Sequence, residues 1–216
     1  LALVMVPWAC RSRSVASTYI DVVRVLEQPP NPSGFPTRWG SAPAVDYEMD
    51  PEIVGDPRYR NTVLDGLVAL PSLSVVMDVD DMFGSSGIYS NPTGEGVGWE
   101  RPCSAEVIYP DGRDGFQINC GIRVQGGASR QPSKSPKHSL RLLFKGDYGD
   151  TKLRYRLFPD SPVGEFDTLV LDAHLNLVWI HPSHDQRVKG QYAREAYVTD
   201  ALNAMGSLAT HSVFVH

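Results

Sequence analysis

The chain has 216 residues, 42% of them hydrophobic and 21% charged, which suits one domain of ordinary size with a real core and argues against disorder. The formal net charge of −5 gives no global basic field to draw in nucleic acid, so any anion site must be local. Nineteen glycines and seventeen prolines point to a turn-heavy, strand-rich protein with irregular connections.

The opening stretch, LALVMVPWAC, is apolar but too short to span a bilayer, and no basic segment precedes it as a secretory signal would require. Residues 1–28 are expected to be the remnant of a preceding β-rich domain or a damaged terminus. Within them, 15–28 holds β-branched residues that suit a strand or a short helix. Residues 29–62 form a connector. Its PPNPSGFPTRWGSAP run has too many prolines for a regular element, and Phe35 and Trp39 are expected to pin it. Residues 57–70 suit a helix with Val63, Leu64, Leu67 and Val68 inward, and 71–79 suit a strand. The DVDDMFG segment fails the spacing of a calcium loop, because Met82 and Phe83 fall where an oxygen ligand and a glycine are needed. Asp80 or Asp81 as a helix cap fits better. The glycines of GEGVGWE, residues 94–100, resemble a nucleotide loop only superficially.

The segment CSAEVIYPDGRDGFQINC reads as a hairpin with Asp111-Gly112 at its tip, the signal for a two-residue type I′ turn. That register sets Cys103 opposite Cys120, close enough for a disulfide or for two buried thiols side by side. A disulfide would favour an extracytoplasmic setting. The strand 121–125 follows, with Arg123 and Gln125 on one face. Gly126 and Gly127 then permit a turn rich in bare N–H groups, with Ser129 and Arg130 at the bend. SKSPKHSLRLLF, residues 133–144, returns as a strand with Pro136 at its edge and Lys137, Ser139 and Arg141 on one face, and SLRLLFK, 139–145, is its alternating part. A glycine turn facing lysine and arginine suits a phosphate nest; it equally suits a solvated edge whose lysines discourage aggregation. Residues 168–173 suit a buried strand, and 186–206 a long helix with Tyr192, Ala196, Tyr197, Ala201, Leu202 and Met205 at helical spacing and Gly206 as its cap. HSVFVH then begins another strand. The element order is α+β, not the alternation of a doubly wound sheet.

The stretches GIRVQGGASRQPSKSPKHSLRLLF and KLRYRLFPDSPVGEFDTLVL, with the helix ending AMG, resemble the CotH family, named after a spore-coat protein. FPTRWGSAPAVDYEMDPEIVGDP and GIYSNPTGEGVGWERPCSAEVIYPDG resemble the segment before the core in large secreted bacterial members. The resemblance spans about residues 17–216 and is most specific at Arg-x-x-Gly-x-x-Ser and Pro-Lys-x-Ser-x-x-x-x-Phe. It implies that 63–216 is the first part of a kinase-like domain: a strand-rich atypical N-lobe with hairpins and one long helix, incomplete at the C-terminus. It further implies ATP and Mg2+ or Mn2+ as cofactors, a Ser/Thr acceptor on a secreted or coat protein, other domains of the same chain as partners, and a secreted or cell-surface location. No nucleic acid and no membrane span are expected. By this resemblance Arg123, Gly126, Gly127 and Ser129 lie near the phosphates, with Lys137 as the steadying lysine, Arg141 beside it and Lys134 as second choice. Relatives carry Asn-Asp where this chain has Asn176-Leu177, and the catalytic and metal-binding acids are expected beyond residue 216, so this piece is expected to be inactive alone.

Other groups fit less well. His174, His181 and His184, near Asp172 and Asp185, lack zincin geometry, because Pro182 prevents a normal helix through them; a loop over the cleft suits them better. Glu195 or Asp200 could pair with the nucleotide lysine or be plain helix charges. Ser129 lacks the strand–turn–helix elbow of a hydrolase. The alternative function is a non-catalytic extracellular adhesion or structural module, suggested by Trp39, Trp99, Trp179 and Leu177.

Overall fold

The computed structural model of the protein describes residues 18–38 and 45–216. Cys10 and Trp39 lie outside the described residues.

Aspartates start the early helices. Asp21 caps α1 (Val22–Val25), Asp50 caps α2 (Pro51–Val54), and Asp56 caps α3 (Pro57–Leu67), each accepting hydrogen bonds from backbone N–H groups of the first turn. In α2 and α3 a proline follows the cap, where its missing N–H costs nothing and its fixed φ suits a helix start. Helix α3 ends at Leu67, so Val68 lies beyond it and is exposed. Strand β1 (Ser72–Val76) leads into α4 (Val79–Phe83), whose cap is Asp78, not Asp80 or Asp81; those two occupy the first turn.

The central sheet is antiparallel, with strand order β1, β2 (Arg101–Ile108), β3 (Gln117–Gln125), β4 (Ser139–Leu143) and β7 (Thr168–Leu171). A two-stranded hairpin of β5 (Leu153–Arg154) and β6 (Glu165–Phe166) lies between β4 and β7 in the chain. The mixed α+β class follows. Strand β7 is an edge strand and is half open, with Val170 50% exposed, so its burial is less than its apolar run suggests.

Period-two alternation divides the sheet. One face carries Leu73, Val75, Ala105, Val107, Ile118, Ile122, Val124, Leu140 and Leu142, and the core forms there with Met82, Phe83, Ile88, Phe116 and Leu153. The connector is pinned to this core by Phe35, whose ring meets Phe83 edge-on at 6.4 Å and Tyr47 at 5.6 Å. The opposite face carries Glu106, Asn119, Arg123, Gln125, Ser139 and Arg141.

The β2–β3 register sets Cys103 opposite Cys120, with the sulfurs 3.5 Å apart as free thiols. The tip differs from expectation. The turn runs from Tyr109 to Gly112, with Pro110 and Asp111 at its centre and Gly112 at φ +75°. Proline fixes the φ that the first central position of such a turn needs, and this displaces the Asp-Gly pair by one. The Cys120 sulfur and burial together push the Cys103 thiol up, so thiolate is scarce at neutral pH and oxidation is slow. Prolonged exposure to oxidised glutathione is expected to join the pair and stabilise the fold by about 2–3 kcal/mol, given the chain length enclosed. Intact mass before and after reduction, with paired thermal melts, checks this; identical melts for the joined and reduced forms would count against it.

Residues 186–206 do not form one helix. Helix α5 (His184–Arg187) is a single turn, and α6 (Ala193–Ala204) follows after a break. Gly190 marks the break: a Cβ there would lie 2.6 Å from the Trp179 ring. The C-terminal signal holds. Gly206 has φ +81°, its N–H reaches the Asn203 carbonyl, and the Ser207 N–H reaches Leu202, the bonding pattern of a Schellman cap. The expected apolar face of α6 is not buried: Tyr197 is 76% and Met205 80% exposed. HSVFVH forms no regular strand, but His216 bonds both Pro71 and Leu73, a parallel bridge onto the β1 edge. No helix among the described residues is long and apolar enough to cross a membrane.

Candidate functional site

The polar face of the sheet gathers most of the charged residues singled out above. Arg123 and Arg141 are directly opposed across β3 and β4, and Gln125 opposes Ser139 one step further. The next polar-face position along, Asp172, accepts a hydrogen bond from the Ser139 hydroxyl at 2.9 Å. The return strand begins only at Ser139, so Lys137 lies before β4 in a bend, close enough to Asp172 to feel its charge. Burial pulls its pKa down, and the nearby Asp172 carboxylate partly opposes that.

Sequence reasoning missed the anchor of this face. Glu100 has a side chain only 1% exposed. It lies beside Arg123, at 3.3 Å from its guanidinium, and receives Lys145 Nζ at 2.8 and 3.0 Å. The Tyr148 hydroxyl also donates to it, at 3.2 Å. Desolvation, then the Glu100 charge, push the Tyr148 phenol up to about 12. Its ring lies on Gly121, where a Cβ would sit 2.4 Å from a ring carbon, so only glycine admits this cover. Two cations, Arg123 and Lys145, thus share one buried carboxylate. The Nε atoms of Arg123 and Arg141 are buried without a hydrogen-bond acceptor.

The glycine turn follows from the end of β3. Gly126 takes φ +117°, and a Cβ there would lie 2.2 Å from Ser129 Oγ. The turn is held from beneath. Arg130, 8% exposed, donates to the carbonyls of Val124 and Gly94, both at 2.8 Å. The loop GEGVGWE is therefore a support packed on Arg130, with Trp99 lying over Gly94. His138 closes the return: its Nδ1 bonds the Ser129 carbonyl at 2.9 Å, its N–H reaches the Tyr89 hydroxyl at 3.0 Å, and burial pulls its pKa down. Lys134 is exposed, whereas Ser135 beside it is buried.

A second cluster stands beside Lys137. His174 Nδ1 lies 3.6 Å from an oxygen of Asp172 and 3.6 Å from an oxygen of Glu195 in the first turn of α6. Glu195 thus reaches this group and meets His174 rather than Lys137. His181 and His184 do not join them: His181 accepts from the Ser183 N–H, and His184 begins α5. Tyr192 meets His174 edge-on at 5.6 Å and Trp179 at 5.0 Å.

Two hollows among the described residues lie elsewhere, one lined by Val22, Val25, Leu67, Leu73 and His216, the other by Asp80, Asp81 and Gly84–Ser86. No protein family, curated protein or solved structure matches the chain.

Proposed function

We propose that the polar face of the sheet is the phosphate-binding surface of an ATP-dependent, CotH-like kinase domain acting on a hydroxyl side chain of a secreted or coat protein. The observation that carries the reading is the opposed pair Arg123–Arg141. Two guanidiniums directly across an antiparallel pair repel each other, and both keep a buried Nε without an acceptor. A polyanion offsets the repulsion and supplies acceptors; guanidinium is well shaped for phosphate. These residues fit the polyphosphate of a nucleotide. Arg123, Arg141 and Lys137 would hold it, with the N–H groups of the Gly126–Ser129 turn at the same end of β3. The nucleotide would supply the transferable phosphoryl group, and this chain's own contribution is charge neutralisation and orientation.

Calorimetry with ATP and Mg2+ or Mn2+ tests the proposal, with tripolyphosphate as a base-free probe. Saturable binding is expected, weakened about 10- to 100-fold in Arg141→Ala and at least several-fold in Lys137→Ala, because each removes a charge-assisted contact. A folded protein that binds neither ligand would overturn it.

A second reading, a non-catalytic surface module, draws on Trp179 and Tyr197, 67% and 76% exposed, in the segment that includes α6. Large exposed aromatics suit contact with another surface. Trp99 lends nothing to it, being packed against the core.

A further inference from the structure

We infer that Asp172, His174 and Glu195 form a binding site for a divalent transition-metal ion of the Zn2+ class, independent of the nucleotide reading. One ligand atom from each residue lies within 4.8 Å of the other two. The two distances from His174 Nδ1 are each 3.6 Å, too long for hydrogen bonds. They match instead the edge of a coordination tetrahedron: ligand bonds of about 2.0–2.2 Å place neighbouring ligand atoms about 3.3–3.6 Å apart.

The surroundings fix each ligand separately. Asp172 offers its two oxygens to different tasks. Oδ1 accepts from the Ser139 hydroxyl at 2.9 Å and from the His174 N–H at 3.0 Å, which leaves Oδ2 turned to the imidazole. That is the outer support that orients ligating carboxylates. His174 holds φ +54°, an unusual backbone for a residue other than glycine, and this aims its ring back across Asp172. Tyr192 braces the ring edge-on. Glu195 comes from a separate element, α6, so the three donors are assembled by the fold and not by neighbours in sequence. An imidazole among the donors favours Zn2+, Fe2+ or Ni2+ over Mg2+ and Ca2+. Three protein ligands leave a position for water or an anion, the arrangement of catalytic rather than structural zinc.

The test is calorimetric titration of the full chain with Zn2+ at pH 7, repeated with Mg2+, together with the visible absorption of added Co2+. The expected result is one Zn2+ per chain, no saturable Mg2+ uptake at this site, and Co2+ bands of a low-coordinate complex. His174→Asn is the principal variant, because asparagine tolerates the positive φ and should leave the turn intact. Glu195→Gln is the second, on an exposed helix position. Circular dichroism confirms folding of both. Each should weaken Zn2+ by at least tenfold, whereas His184→Ala, on a histidine outside the cluster, should leave it unchanged. Absence of saturable Zn2+ binding, or binding lost in His184→Ala and kept in His174→Asn, would overturn the inference and leave His174 as a plain neighbour of two carboxylates. Retention of ATP binding in His174→Asn would separate this site from the phosphate-binding face.

Discussion

Replacing Glu100 by alanine is expected to lower the unfolding free energy by about 3 kcal/mol, near the lower end of what removing one partner from a buried ion pair costs. The carboxylate is 1% exposed and holds Arg123, Lys145 and Tyr148 together. Without it, Arg123 and Lys145 lose their shared counter-charge in a part-buried setting. The figure is not larger because Lys145 keeps 38% of its side chain in water and Arg123 23%, so both can recover some hydration. The asymmetry is the sharper expectation. Lys145→Ala should cost about 1 kcal/mol or less, since the cation is part-exposed and Glu100 retains Arg123. Urea unfolding of the two single variants measures both. The Tyr148 phenol should also titrate lower in Glu100→Ala, because one of the causes raising it is removed. A Glu100→Ala protein within 1 kcal/mol of the parent would show that the cluster is not the anchor of this face.

Glu100 also shows where the sequence stops being legible. It ends a glycine-rich run and carries no local pattern; its meaning comes from Lys145, 45 residues away, through a strand pairing that must form first. The β2–β3 hairpin was readable because alternation and a turn signal agree over neighbouring residues. Even there the turn centre slipped by one, since Pro110 outranks glycine in choosing the bend. DVDD offered several carboxylates as a helix cap, and only the strand exit at Asp78 selects among them. For α6 the apolar spacing was real but named no partner, and the structure leaves Tyr197 and Met205 in the open. Leu177 first stood out as a missing carboxylate. The backbone adds another account: it sits at φ +56°, where asparagine and aspartate are at ease and leucine is not. Arg123 and Arg141 were legible as one-face residues by parity alone. Glu195 and His174 meeting was not, because it depends on the break at Gly190.

Arg130 separates the two meanings of the basic glycine turn. Were it a phosphate ligand, Arg130→Ala would weaken anion binding and spare stability. The geometry points the other way. Its two terminal nitrogens are committed to two backbone carbonyls, Val124 at the end of β3 and Gly94 in the supporting loop, both at 2.8 Å, while its Nε is buried without an acceptor. The Glu95 carboxylate at 3.6 Å is 77% exposed and adds little. Truncation removes two charge-assisted hydrogen bonds and a well-packed stem, and leaves the Val124 carbonyl without this partner. A loss of about 2–4 kcal/mol is expected, read as a fall in melting temperature of roughly 4–16 °C for a chain of this size. Hydrogen exchange should quicken first at residues 126–131, where the turn loses its anchor. Arg130→Lys should recover only part of the loss, because one ammonium lacks the rigid fork that spans both carbonyls. Tripolyphosphate binding, measured below the melting range, should fall far less in Arg130→Lys than in Arg141→Ala. The reverse order would move the anion site from the sheet face into the turn itself.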